Sequence, residues 1–182
     1  NYFLFILYLL IACYFLPRIA FIKKAHLYNN SIRALFILNV AVGIYWGWLN
    51  IKYARGTSDI LNFNKLGWEE YKIMIHDPKT FVTNIFYSGY GGYSKFFGSV
   101  GSYWNDLETN IILKFLAILN VFSQGNYFIN SLFFNIFSFF GHIALYRIFI
   151  QIYTDKKLAI LIGCFLLPST LLFTSGISKD NV

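Results

Sequence analysis

The sequence predicts an all-α, polytopic integral membrane protein, and three observations predict it. Of its 182 residues, 57% are hydrophobic and only 13% charged, with mean hydropathy +0.54. That is more apolar surface than a soluble domain of this length can bury. Apolar runs close to the roughly 20 residues a helix needs to cross the hydrocarbon core recur along the chain. Between them, Lys and Arg gather in two short loops, as they do on the cytoplasmic side of a bilayer.

Residues 2–22, "YFLFILYLLIACYFLPRIAFI", form the first expected span, with Pro17 near its end and Arg18 able to snorkel to the headgroups. Residues 34–52 form the second, where Tyr45, Trp46 and Trp48 are placed like an interfacial aromatic belt. Residues 128–150 form the third and 158–175 the fourth. No paired Gly or Pro interruption of these spans is expected, which weighs against a transporter built on broken helices.

The segment 111–123, "IILKFLAILNVFS", is apolar but short for a span, and it carries Lys114 and Asn120. If it crossed, Arg147, Lys156 and Lys157 would lie opposite Arg18, Lys23, Lys24 and Arg33. The positive-inside rule rejects that arrangement, so the segment is expected in the interface as an amphipathic helix. Residues 53–127 then form one external loop. Its Arg55, Lys65, Lys72, Lys79, Lys95 and Lys114 balance Asp59, Glu69, Glu70, Asp77, Asp106 and Glu108.

The chain starts outside, and both of its ends suggest an N-terminal fragment of a longer plasma-membrane protein. The net charge of +7 resides largely in the cytoplasmic loops, so nucleic acid is not an expected partner. Cys13 and Cys164 lie in apolar runs and suggest neither a disulfide nor zinc. Residues 87–104, "YSGYGGYSKFFGSVGSYW", hold too many turn formers for a regular helix and read as a surface loop without an assigned site.

The residues able to carry chemistry are few. Asp59 follows the second span, near the headgroups, where a membrane-bound phosphosugar would present its reactive carbon. There it can act as a general base on an acceptor hydroxyl or hold a divalent cation; equally, Ser58 or Asp59 can cap the helix that follows. Glu69 and Glu70 read as a solvated face. The "HDPKT" of residues 76–80 reads as a turn and a new helix start. His142, mid-span, reads as a hydrogen-bond partner of a neighbouring helix rather than a functional group. Lys179 follows a Ser175–Gly176 turn at the external end of the fourth span. It can meet a lipid-linked phosphate as a point charge, with turn amides as further donors, or simply anchor to headgroups.

Gly56 and Asp59 in "GTSD", followed by Pro168, Ser169, Ser175, Gly176, Lys179 and Asp180 in "PSTLLFTSGISKD", carry a resemblance. Together with the layout of spans around a large external loop, they resemble the GT-C type of polytopic glycosyltransferase, related to aminoarabinose transferases and protein O-mannosyltransferases. EpsG-like polysaccharide polymerases are the next relatives. The resemblance implies a polyprenyl-phosphate sugar donor, an essential acidic residue in the first external loop, here Asp59, and interfacial helices framing the site. It departs from the family in having an additional N-terminal span and no match for the usual second acidic residue. Two other classes stand beside this reading: a non-catalytic membrane subunit of a larger complex, and a transporter of lipid-linked sugars.

Overall fold

The computed structural model describes residues 2–53, 58–89, 91, 96–98 and 101–177. Gly56, Lys179 and Asp180 lie outside these residues. Among the described residues the architecture is all-α, with no strand.

Helix α1 (Tyr2–Phe15) is an unbroken run of Leu, Ile, Phe and Tyr. It gives way at Leu16–Arg18 to a 3₁₀ turn, and a short α2 (Ala20–Lys23) follows an extended Ile19. The expected continuous helix over residues 2–22 is therefore two pieces, and Pro17 is the reason. Proline has no N–H, so the carbonyl of Cys13, four residues earlier, loses its helical partner. Arg33 Nε donates to that carbonyl instead, at 3.2 Å. A basic side chain from the next helix thus repairs the break and fixes the two elements against each other.

Helices α3 (Asn29–Tyr53) and, later in the chain, α7 (Tyr127–Ile152) are the two among the described residues long and apolar enough to cross a membrane. At about 1.5 Å per residue each is close to 38 Å long. They pack antiparallel. Phe36 meets Phe139 with ring centroids 5.4 Å apart, Gly43 faces Ser131 and Asn135, and Gly47 faces Tyr127. Large apolar side chains of α1, α3 and α7, among them Phe3, Leu10, Ile37, Phe137 and Ile148, are left facing outward. An apolar exterior of this kind is costly in water and natural in lipid.

Between α3 and α7 come α4 (Asp59–His76), α5 (Pro78–Thr83) and α6 (Tyr103–Ser123). The expected turn at His76–Thr80 is present. Asp77 caps α5, accepting from the Thr80 amide at 3.1 Å and the Thr80 hydroxyl at 2.5 Å, and Pro78 stands where no N–H is needed. Helix α6 extends well beyond the apolar segment 111–123. It buries Ile112, Leu116, Ala117 and Asn120 against the protein and leaves Ile111, Ile118, Val121 and Phe122 exposed. Lys114 is largely withdrawn from water. Its ammonium pairs with Glu70 Oε2 at 2.6 Å, bonds to Asn84 Oδ1 and lies over the Phe81 ring. Glu70, expected on a solvated face, is the partner that makes a lysine tolerable in this apolar stretch.

After α7 the chain forms α8 (Lys157–Leu161), a π-helical turn at Ile162–Leu166 and α9 (Pro168–Thr174). Residues 158–175 are therefore not one helix. Pro168 withholds the N–H that the Cys164 carbonyl would accept, and Leu167 is extended at φ −64°, ψ 128°. The expectation of uninterrupted apolar segments fails at Pro17 and again at Pro168. Cys13 and Cys164 are both free.

The Arg147 guanidinium sits 4.6 Å from the Phe21 ring centroid, which places the second half of α7 beside α2. Because α3 and α7 run antiparallel, the end of α3 and the start of α7, which the α4–α6 layer joins, lie together at the other end of the pair.

Candidate functional site

Asp59 opens α4, six residues beyond the end of α3, and its side chain is exposed. Ser58 occupies the cap position, yet its side chain accepts no cap hydrogen bond. Its hydroxyl instead donates to Asn50 Oδ1 at 2.7 Å, and Asn50 Nδ2 donates to the Trp46 carbonyl at 2.8 Å. The start of α4 is thereby tied to the last turns of α3. Asp59 lies in the first turn, where the positive end of the helix dipole favours a carboxylate.

A second tie lies one to two turns further along α4. Asn130 Nδ2 donates both to Asn64 Oδ1 at 2.9 Å and to Asn120 Oδ1 at 2.8 Å, while Asn64 Nδ2 donates to the Gly125 carbonyl at 3.1 Å. Ser123 Oγ adds a bond to Asn120 Oδ1 at 3.0 Å. This amide network locks α4, α6 and α7 together. The turn between α6 and α7 needs a glycine: Gly125 has φ +76°, and a Cβ there would stand 2.9 Å from Trp68 Cε3. Asn120, an oddity in an apolar sequence, is the buried centre of the network.

Ser175 and Gly176, expected as an exposed turn presenting amides to a phosphate, are buried. Ser175 is only 2% exposed and Ile177 fully enclosed. Gly176, at φ +109°, takes a conformation closed to other residues, and a Cβ on it would lie 3.2 Å from the Tyr127 hydroxyl. Tyr127 in turn covers Gly47. The Ser175–Gly176 turn therefore rests on the half of α3 that leads to Asp59: Gly47 and Tyr53 are about 9 Å apart along the axis. The bond expected of His142 is present, with its Nε2 3.2 Å from Thr174 Oγ1. Lys179 falls outside the described residues.

For a divalent cation the donor set is poor. Among the described residues no group of three or more His, Cys, Asp or Glu side chains converges anywhere, so those described do not make a metal site of Asp59. What the arrangement offers is an anchored, solvent-facing carboxylate at one end of a helix pair.

The sequence reading missed Gly43-Ile-Tyr-Trp-Gly47. Two glycines four residues apart in an apolar helix are the pattern by which membrane helices approach closely. Added methyl groups would sit 2.8 Å from Asn135 Nδ2 at Gly43 and 2.2 Å from Tyr127 Cε1 at Gly47. Fold and site together define a helical protein with two membrane-grade helices and an exposed carboxylate at one end of them. Comparison with protein-family models, curated proteins and solved structures finds no match to this chain.

Proposed function

We propose that the chain is part of a multi-pass membrane glycosyltransferase that moves a sugar from a polyprenyl phosphate to an acceptor at the external face of the plasma membrane. The observation that supports this reading best is the anchoring of Asp59. Its exposed carboxylate follows the end of a membrane-grade helix, held there by Ser58–Asn50 and by the Asn64 network. In the transfer, the acceptor oxygen attacks the anomeric carbon and Asp59 takes the acceptor's proton. The bond from the anomeric carbon to the phosphate oxygen breaks, and its electron pair leaves with the lipid phosphate. Lys179 is the cation proposed to stabilise that leaving group. Four membrane segments, two of them discontinuous, with the basic loops cytoplasmic, complete the topology of this reading.

The test is Asp59→Asn in native membranes supplied with undecaprenyl phosphate bearing a radiolabelled hexose. A positioned base contributes about 10²–10⁴-fold, so release of the lipid phosphate falls by that factor while the protein level and unfolding midpoint hold. Unchanged turnover sinks the assignment.

A second reading has one observation in its favour. Apolar segments interrupted at Pro17 and Pro168 are a feature of transporters that bind substrate at broken helices. It predicts movement of the labelled lipid across the bilayer with its sugar bond intact.

A further inference from the structure

We propose that the groove between the second half of α7 and the chain that follows it binds an anionic glycerophospholipid, with an acyl chain along the groove and the headgroup phosphate at Lys156. The groove has a volume of about 520 Å³, within the range of small-molecule sites. Leu145, Phe149 and Tyr153 supply one wall. Their spacing of four residues puts them on one face of α7 and its C-terminal cap, over about 12 Å. Ile160 and Gly163, from α8 and the π-helical turn, supply the other wall. Lys156, in the short connection between the walls, lines the groove where α7 ends.

The groove follows from the sequence. Pro168 and the π-helical turn keep residues 157–174 from forming one straight helix that could lie flush on α7. Gly163 then leaves a gap in the wall, because no atom stands within 4 Å of a Cβ built on it. Leu145, Phe149 and Tyr153 stay exposed although the returning chain passes beside them. On a membrane-grade helix, the apolar chains at hand to fill such a trough are lipid tails.

The polar end selects the headgroup. Lysines just after a helix suit its dipole and any loop beside headgroups, so Lys157 by itself assigns nothing. Lys156 differs in lining an apolar groove, and no carboxylate is among the described residues that line it. Asp155, the one acidic residue from α7 through α9, is exposed and is not part of the lining. A phosphate would pair with the Lys156 ammonium and accept from the Tyr153 hydroxyl. A choline headgroup would instead set a further cation beside Lys156 and Lys157. Basic pockets flanking apolar helices hold anionic headgroups in this way. The groove lies at the end of α7 away from Asp59. It needs the membrane setting of α7 and does not rest on sugar transfer.

The experiment places the full protein in phosphatidylcholine nanodiscs with a trace of phosphatidylglycerol or phosphatidylcholine bearing a diazirine on its acyl chain, and maps the photolabel by peptide mass spectrometry. The phosphatidylglycerol probe labels residues 145–163 several-fold more than the phosphatidylcholine probe. Lys156→Gln lowers that labelling about fivefold, the share of one lysine at a membrane surface, and leaves the phosphatidylcholine probe unchanged, while Lys156→Arg retains the preference. Gly163→Leu fills the groove and abolishes the label there. Lys156 is exposed, so its variants keep the wild-type unfolding midpoint and test the headgroup separately from the groove. Equal labelling by the two probes means a surrounding lipid tail with no headgroup selected, and overturns the proposal. So does labelling that survives Gly163→Leu in a folded protein, because the lipid then lies elsewhere. Absence of label from both probes means that a protein segment covers the groove, and overturns it as well.

Discussion

Gly47→Ala tests the close approach of α3 and α7 by the sign of its effect. Where a helix interior has room for a methyl group, replacing Gly by Ala stabilises by about 1 kcal/mol. At Gly47 the new Cβ would stand 2.2 Å from Tyr127 Cε1 and 3.0 Å from Cζ, whereas carbons rest about 3.5–4.0 Å apart. The ring must retreat by about 1.5 Å to clear it. It has nowhere to go, because Tyr127 is 7% exposed and its hydroxyl already lies against Gly176. Overpacking of this kind costs about 1–3 kcal/mol, enough to exceed the gain in helix propensity. The expected net loss, that cost less the propensity gain, reaches about 2 kcal/mol and lowers the midpoint by up to roughly 8 °C. Thermal unfolding in nanodiscs, followed by tryptophan fluorescence, reads it. Gly141→Ala is the control: it lies in mid-α7, no atom stands within 4 Å of the added Cβ, and it should raise the midpoint. If Gly47→Ala is as stable as the wild type, or more stable, the register of α3 on α7 is wrong. The double variant Gly47→Ala/Tyr127→Ala should show a coupling of the opposite sign, since removing the ring removes the clash.

Further expectations concern the α4–α6 layer. The Lys114–Glu70 pair is largely buried, with side-chain exposures of 12% and 18%, so Glu70→Ala should cost about 3–5 kcal/mol by stranding the ammonium. Glu70→Met combined with Lys114→Met should cost far less, and a double-variant cycle that finds the two changes additive refutes the pair. Asn64→Ala removes two bonds of the buried amide network and should cost about 1–3 kcal/mol; hydrogen exchange that speeds up in α5 but not in α4 would contradict it. The Asp77 carboxyl is held below its usual range chiefly by the Thr80 hydroxyl and then by backbone amides. Its folded value is depressed, so its stabilisation of α5 is present above the unfolded value and is lost as pH falls through the folded one. Protection of the Thr80 amide should drop in that acid window, and Asp77→Asn should remove the dependence. A wild-type profile flat down to that pH would count against the cap.

Much of the helical layout was legible because apolar run length and turn chemistry are local. Residues 34–52 and 128–150 correspond to α3 and α7, and "HDPKT" is the α4–α5 turn for the reason its Asp and Pro suggest. What was not legible depends on partners distant in sequence. Nothing near Lys114 reveals that Glu70, 44 residues away, neutralises it, and nothing near Asn120 reveals Asn64 and Asn130. Pro17 and Pro168 were visible, but composition alone made the surrounding runs look continuous, although a missing N–H in an apolar helix is a break signal in its own right. The same overreliance on hydropathy hid Gly43 and Gly47, whose meaning lies in spacing. Ser175 and Gly176 were misjudged as a surface turn because small polar residues after an apolar run usually mark an exit into water. Here Tyr127 and α3 cover them.

Asn39, Gly43, Gly47 and Asn50 lie on one face of α3, at intervals of four, four and three residues. In order along the axis this face meets Asn135, then Ser131 and Ser175, then Tyr127, and at its end receives the Ser58 hydroxyl that holds the start of α4. The start of α4, and with it the exposed Asp59, is therefore tied to the end of this face through Ser58 and Asn50. Asn50→Ala removes that tie and should change the labelling rate of an Asp59→Cys thiol, while the α3–α7 contacts at Gly43 and Gly47 stay as they are. An unchanged labelling rate would show that the Ser58–Asn50 bond does not position Asp59.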